Sequence, residues 1–111
     1  MPFAATPLYV TKAALFRTLG HPARVRILEL LREGEHSVGA LQEALGLDSG
    51  GTSQHLAALR RIGVVESRKK GTSVIYRAAD PRVFELLEVG RELITRSLQE
   101  QQHLLEELTA E

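Results

Sequence analysis

Apolar residues recur at intervals of three and four through most of the chain, which is the spacing of amphipathic helices. Four such runs occupy the first half, and each is followed by a glycine, at Gly20, Gly34, Gly46 and Gly63. A glycine after a helix typically adopts the left-handed conformation that ends the helix, because it has no Cβ to clash. The pattern therefore predicts four helices, each ending in a left-handed glycine.

The starts of these helices carry their own signals. The first helix is predicted over residues 8–19, and His21-Pro22 starts the second, since proline suits the first helical position. Ser37 is expected to cap the third helix. The third and fourth helices lie within residues 38–61 and are separated only by the turn from Gly46 to Ser49, so they must meet at a sharp angle. This pair is predicted to be a helix-turn-helix.

After the fourth helix the apolar period shortens. Val64-Val65 and the run from Val74 to Tyr76 are rich in β-forming residues and flank a predicted turn at Lys70-Gly71. A β-hairpin is therefore expected over residues 64–79, with its register left open. His36 is expected in a loop.

The last predicted helix covers residues 81–109 and begins at the Asp80-Pro81 start signal. Its apolar stripe is too long to be buried within one small domain, so we expect it to pack against a second copy of the chain.

The predicted fold class is mainly α with a small β-hairpin (α+β). About five helices and the hairpin, which is the wing, form one winged helix-turn-helix domain over residues 1–111. The predicted dimer interface consists of residues from the first and last helices, namely Leu15, Leu19, Leu87, Ile94, Leu98 and Leu105.

Composition narrows the classes of function. The 111 residues include no cysteine, which excludes disulfides, thiolate metal sites and cysteine nucleophiles. No apolar run approaches membrane-spanning length, and the N-terminus lacks the pattern of a secretory signal, so a cytoplasmic protein without a membrane partner is expected.

The net charge of the chain is zero, but the charged residues are unevenly distributed along it. Residues 1–80 carry 11 Lys/Arg and 7 Asp/Glu, a charge of +4, and residues 81–111 carry −4.

The basic part of the chain contains the candidate DNA contacts. Leu56, Leu59 and Ile62 share one face of the fourth helix, which turns the polar residues outward, where hydroxyls and amides can reach phosphates and base edges. The alternative is a polar helix start selected for capping alone. The candidates on this helix are Ser49, Gly50, Thr52, Ser53, Gln54, His55 and Arg60.

Cations cluster in the hairpin, where they can release counterions from DNA phosphates. The alternative, a solvated edge strand, accounts for one or two charges better than for a run of three. The hairpin candidates are Arg68, Lys69, Lys70, Thr72 and Arg77.

No phosphate loop, nucleophile elbow or H-E-x-x-H motif is present in the sequence, so an enzyme is not expected.

The segment from Leu15 to Ala79 resembles the ArsR/SmtB family of bacterial transcriptional regulators. The resemblance rests on H-P-A-R-V-R-I-L at residues 21–28, on S-Q-H-L-A-A-L-R at residues 53–60 and on K-G-T-S-V-I-Y-R in the hairpin. It implies a homodimeric winged helix that binds a palindromic double-stranded DNA operator, most often as a repressor. It also implies that the first and last helices form the dimer interface.

The sequence departs from the family pattern at the two sites that bind a regulatory metal ion, and also at the start of the fourth helix. Without cysteine the family's thiolate metal site is absent. At the family's C-terminal zinc site Asp80 is retained, but Arg82, Leu93 and Arg96 stand where the other ligands would be. Ser49-Gly50-Gly51 is also unusual, and these glycines either permit close approach to the DNA backbone or loosen the helix start.

No cofactor is evident from the sequence. An atypical nickel or zinc site could use His103, Glu106 and Glu107, although a solvated, glutamate-rich helix end explains these residues better. If no metal is bound, the protein responds instead to a small molecule or to a partner sensor protein. An alternative function is a winged-helix protein-interaction module, against which the cationic hairpin argues.

Overall fold

The structure is a computed structural model that describes residues 6–111. The described chain contains five α-helices and three β-strands, and this mainly helical arrangement with a hairpin confirms the predicted fold class. One compact unit extends to Asp80, and the other is Pro81–Glu111. In chain order the elements are α1 (Leu8–Leu19), α2 (Pro22–Glu33), β1 (His36–Ser37), α3 (Val38–Leu45), α4 (Ser49–Arg61), β2 (Val65–Lys70), β3 (Ser73–Ala78) and α5 (Arg82–Ala110).

Side chains from all four helices of the first unit and from β2 and β3 form its core. The amphipathic period of each helix supplies these side chains, and burying them is the main favourable contribution to folding. The helix-turn-helix is thus packed on α2 and on the sheet rather than standing alone. The fully buried apolar side chains are Ile27, Leu28, Leu41, Leu56, Leu59 and Val65.

The turn between α3 and α4 is set by three residues. The Gly46 backbone has φ +66° and ψ +26°, the left-handed conformation that was predicted, and its N–H donates to the Gln42 carbonyl at 3.0 Å. Asp48 then caps α4, because its Oδ1 accepts from the Gly51 N–H at 2.7 Å. The turn therefore ends at Asp48, and Ser49 is the first residue of α4.

The prediction of a left-handed glycine after every helix is wrong at two positions. Gly20 has φ −81°, and a Cβ there would lie 3.2 Å from the Phe16 carbonyl oxygen, so close packing rather than backbone conformation favours glycine. Gly34 has φ +147° and ψ −178°, which is a positive φ outside the left-handed helical region. The predicted cap at Ser37 is confirmed, because its Oγ accepts from the Ala40 N–H at 3.1 Å.

The hairpin belongs to a three-stranded antiparallel sheet with the order β1-β3-β2. The short strand β1 was not predicted: His36 pairs with Tyr76 instead of lying in a loop. Two residues are too few to show an alternating pattern, so only the neighbouring strand reveals β1. At the other end Lys70 pairs with Ser73, which places the loop at Gly71-Thr72, one residue later than predicted.

The helix α5 spans 29 residues, which corresponds to about 44 Å at 1.5 Å per residue. It begins and ends one residue later than predicted. Along the described chain no helix is both long enough and apolar enough to cross a membrane.

Candidate nucleic-acid interface

The first turns of α4 present an exposed polar surface. Ser49, Ser53 and Gln54 are exposed, as is the backbone at Gly50. The neighbouring Gly51 packs against the helix cap, since a Cβ there would lie 3.0 Å from Asp48 Oδ1. Gly51 therefore makes room for the cap, a role that the sequence left undetermined.

Thr52 does not belong to this surface, which corrects its assignment as a DNA contact. Its side chain is fully buried, and its Oγ1 donates to the Asp48 carbonyl at 2.9 Å. Thr52 precedes Leu56 by four residues and Leu59 by seven, so the helical period places all three on the core side. The sequence suggested an outward hydroxyl because threonine is polar, but the position in the helix determines its burial.

His55 is half-buried rather than free at the surface. Its Nδ1 accepts a hydrogen bond of 3.1 Å from Arg24 Nε, and its ring centroid lies 4.3 Å from that of His21. Burial lowers the pKa of His55, and the charges of His21 and Arg24 lower it further. The predicted DNA contact is thus a side chain held by α2, in surroundings that disfavour its charged form.

A groove of about 480 Å³ separates the start of α4 from the hairpin. It brings together two predicted DNA contacts, Ser53 and Thr72, although they are distant in sequence. The remaining lining residues come from β1, from the start of α3 and from β3, and none of them was predicted to contact DNA. They are Ser37, Val38, Gly39, Ser73, Val74 and Tyr76.

The register of the hairpin assigns its cations to two faces. Lys69 pairs directly with Val74, so it shares the face that lines the groove beside α4. Arg68 and Lys70 alternate to the opposite face, and Arg77 lies there too. Of the four hairpin cations, Lys69 alone lies on the face of the sheet that lines the groove.

Two of the predicted wing cations are engaged by carboxylates on that opposite face. Arg68 donates to both carboxylate oxygens of Glu35, and Arg77 Nε donates to Glu66. The hydrogen bond from Arg68 lowers the pKa of Glu35, which keeps this carboxylate ionised. Neither carboxylate was predicted, because local pattern does not fix the register that places Glu66 opposite Arg77, and Glu35 is 33 positions from Arg68.

Arg60 also has a partner within the chain. Its Nη1 donates to Ser67 Oγ at 3.2 Å, which connects the last turn of α4 with β2. This hydrogen bond is one contact between the hairpin and α4.

The apolar residues predicted to form a dimer interface fall into three groups by their exposure. Leu19 is only 7% exposed and belongs to the core of the first unit, so its assignment to the interface is corrected. Leu15 and Leu87 are half-buried. The others are more than half exposed, as are further apolar residues that had not been assigned to the interface. The exposed set is Ile94, Leu98 and Leu105 as predicted, with Leu93, Leu104 and Leu108 on α5 and Leu8, Tyr9 and Phe16 on α1.

The side chains proposed as ligands of an atypical metal site do not come together within a single chain. His103 Nε2 lies 3.2 Å from Glu107 Oε1, while Glu106 accepts from Gln102 at 3.1 Å. Within residues 6–111 no three potential ligands come together in a group that could hold a metal ion. This end of α5 is an exposed helix with hydrogen bonds between successive turns.

Comparison with known proteins identifies the family. Residues 21–67 match the family described as bacterial regulatory protein, arsR family. Rv0081, an HTH-type transcriptional regulator of Mycobacterium tuberculosis, is 50% identical over 105 residues, which cover 94% of this chain and 92% of the relative. Its crystal structure has a TM-score of 0.81 at 49% identity and covers 87% of this chain and 98% of that one.

Two more distant relatives agree. The biofilm growth-associated repressor of Agrobacterium fabrum is 36% identical over 79% of this chain and 76% of its own length. The homodimeric winged helix-turn-helix DNA-binding domain of a Mycobacterium bovis protein has a TM-score of 0.74 at 32% identity, covering 84% of this chain and 86% of that one. The chain therefore belongs to the ArsR family of bacterial regulatory proteins, and it is a transcriptional regulator rather than an enzyme.

Proposed function

We propose that this regulator binds a palindromic double-stranded DNA operator as a homodimer and represses transcription by occupying it. The observation that carries the proposal is the groove between the start of α4 and the hairpin, which places Ser53 beside Thr72. An exposed helix start next to a charged hairpin is the arrangement in which a winged helix-turn-helix enters the major groove. DNA in a bacterial cell is cytoplasmic, so this function belongs in the cytoplasm.

Within this interface the recognition helix supplies the base contacts. Gln54 can bond bidentately to adenine, and the hydroxyls of Ser49 and Ser53 reach either bases or phosphates. All three side chains are exposed in the first two turns of α4. Sequence preference should therefore depend on this short segment.

The hairpin supplies phosphate contacts. Lys69 is exposed on the face that borders the groove, and Lys70 is exposed at the tip. Arg68 and Arg77 are already neutralised by Glu35 and Glu66, so they contribute less to the positive potential. The lysines are thus the principal phosphate contacts of the wing.

The dimer is proposed to form through the apolar side chains of α1 and α5. Seven large apolar residues of α5 are at least half exposed in the single chain, and exposed apolar side chains in such number favour association. The homodimeric DNA-binding domain of the Mycobacterium bovis relative supports the same assembly. Two copies related by a two-fold axis present two recognition helices to two half-sites.

Selection from a pool of random duplexes tests this function directly. The native protein should enrich a duplex with two inverted half-sites about one helical turn apart and bind it at least 10³-fold more tightly than a scrambled duplex. Enrichment of no common sequence, or of a single unrepeated half-site, would contradict the proposal.

A further inference from the structure

One guanidinium connects the three helices α1, α2 and α4. Arg24 of α2 donates through Nε to His55 Nδ1 on α4, and through Nη1 to the Thr18 carbonyl of α1, each at 3.1 Å. Both hydrogen bonds are partly buried. Other contacts of Arg24 aside, these two join α4 to α1 and α2 through a side chain that cannot lose its charge.

The hydrogen bond from Arg24 determines the tautomer of the His55 ring. A guanidinium has donors and no acceptor, so Nδ1 of His55 must accept and the ring proton must be on Nε2. His21 is arranged similarly: its Nδ1 accepts from the Ala23 N–H at 3.1 Å, and its ring packs on that of His55. The anchor therefore requires His55 to be neutral.

The surroundings oppose a positive charge on this ring. The charged groups that act on His55 are Arg24 and, when it is protonated, His21, and both contribute in the same direction as burial. Among the groups found to shift the pKa of His55 there is no carboxylate to stabilise an imidazolium. Protonation would replace the Nδ1 lone pair with a second donor facing Arg24 and would break the anchor.

We propose that His55 is a positioning residue, which anchors the second turn of the recognition helix to α1 and α2 through Arg24 and makes no contact with DNA bases. The inference rests on the proposed DNA-binding function. His55 directly follows Ser53 and Gln54, so a loss of the anchor leaves this turn of α4 less firmly held and shifts the side chains that contact bases. Operator affinity should consequently fall as His55 becomes protonated, below its ordinary pKa of about 6.5.

Two substitutions distinguish an anchor from a base contact. The Oδ1 of asparagine occupies the place of Nδ1, whereas the amide of glutamine extends to the place of Nε2. Binding is measured on the duplex enriched by the native protein and on its scrambled form. His55→Asn should keep operator affinity within about threefold, and His55→Gln should lose about tenfold, the value of one hydrogen bond to a charged group. The reverse order would show that Nε2 contacts a base and would overturn the proposal.

The pH profile is the second readout, because a merely structural substitution would not change it. Native protein should lose operator affinity on acidification below about pH 6.5, and His55→Asn should lose less, since its amide does not titrate. Equal losses in the two proteins would contradict the role of His55. His36→Asn, which changes a histidine in β1, is the matched control and should retain the native profile.

A measurement without DNA separates this inference from the proposed function. Nitrogen chemical shifts of the imidazole ring in the native protein should show an unprotonated Nδ1 and a protonated Nε2 at His55, and Arg24→Ala should remove this preference. The opposite tautomer would overturn the anchor even if operator binding were confirmed. If no operator were enriched but the expected tautomer were found, the DNA-binding function would fail and the anchor itself would stand.

Discussion

Lys69 and Arg68 of the hairpin have different surroundings, so we expect them to contribute differently to DNA binding. Lys69 lies on the face that borders α4, whereas Arg68 pairs with Glu35 on the opposite face. An exposed ion pair contributes little to stability, but it reduces the charge that a cation can offer to DNA. Position in the sheet therefore distinguishes two adjacent cations that look equivalent in the sequence.

This difference predicts the salt dependence of two variants. Lys69→Ala should lower the slope of log affinity against log salt concentration by about 0.9, the value of one phosphate contact, for operator and scrambled DNA alike. Arg68→Ala removes the same charge but should change the slope less. Filter binding over a salt series measures both slopes, and equal changes would show that Arg68 leaves Glu35 to contact a phosphate.

Gln54 is the residue on which sequence preference should depend most. Gln54→Ala should cost about 1–3 kcal/mol on the operator and little on scrambled DNA, since a bidentate amide-adenine contact is specific to sequence. Gln99→Ala, on α5, is the matched control and should affect neither. A similar loss on both duplexes would assign Gln54 to the phosphates.

The pKa of His55 also predicts a pH dependence of folding. Because the folded protein lowers this pKa, the neutral ring contributes its full stability above the unfolded value of about 6.5, and the contribution is lost as pH falls through the folded value. The midpoint of thermal unfolding should therefore decrease as pH falls below about 6.5, and less so for His55→Asn. The lowered pKa of Glu35 acts in the same direction, but only below its ordinary value of 4.5.

At the scale of elements, the recognition helix depends on its N-cap. Asp48 Oδ1 accepts from the Gly51 N–H, and Gly51 leaves the space that this carboxylate occupies. The cap and the glycine thus form one structural unit at the point where α4 would meet DNA.

Removing this cap should destabilise the protein. Asp48→Ala should lower the free energy of unfolding by about 0.5–2 kcal/mol, as is typical of N-cap losses, whereas Asp48→Asn keeps an acceptor and should cost less. Urea denaturation followed by circular dichroism measures both. Equal stability of Asp48→Ala and native protein would mean that the cap contributes nothing to α4.

At the scale of the whole molecule, the apolar surface of α5 determines the expected assembly. Ile94 is 63% exposed and Leu98 is 59% exposed, and they lie one helical turn apart. Solvated leucines spaced along a helix of this length are typical of a helix that packs against a partner.

Charges placed on this surface should separate the subunits. Ile94→Asp combined with Leu98→Asp should convert a dimer into a monomer, because two carboxylates cannot be buried without partners. Gln99→Asp places a similar charge on another face of the same helix and should leave the dimer intact. Light scattering at micromolar concentration decides the matter, and a monomeric native protein would disprove the assembly.

Local pattern by itself determined the succession of helices, the helix-turn-helix, the hairpin and the family. These features follow from the spacing of apolar residues and from caps such as Ser37, which act within a few positions of the chain. The two-residue strand β1 escaped prediction because its hydrogen-bonding partner is distant in sequence.

The tertiary structure decided which polar side chains are available to DNA. Thr52 is buried, His55 accepts from Arg24 of α2, and Arg68 pairs with a carboxylate 33 positions away. Leu19 likewise belongs to the core and not to an interface. Hydrophobic periodicity is a local property that a sequence displays directly, whereas the partner of a polar group depends on register and on packing between distant segments.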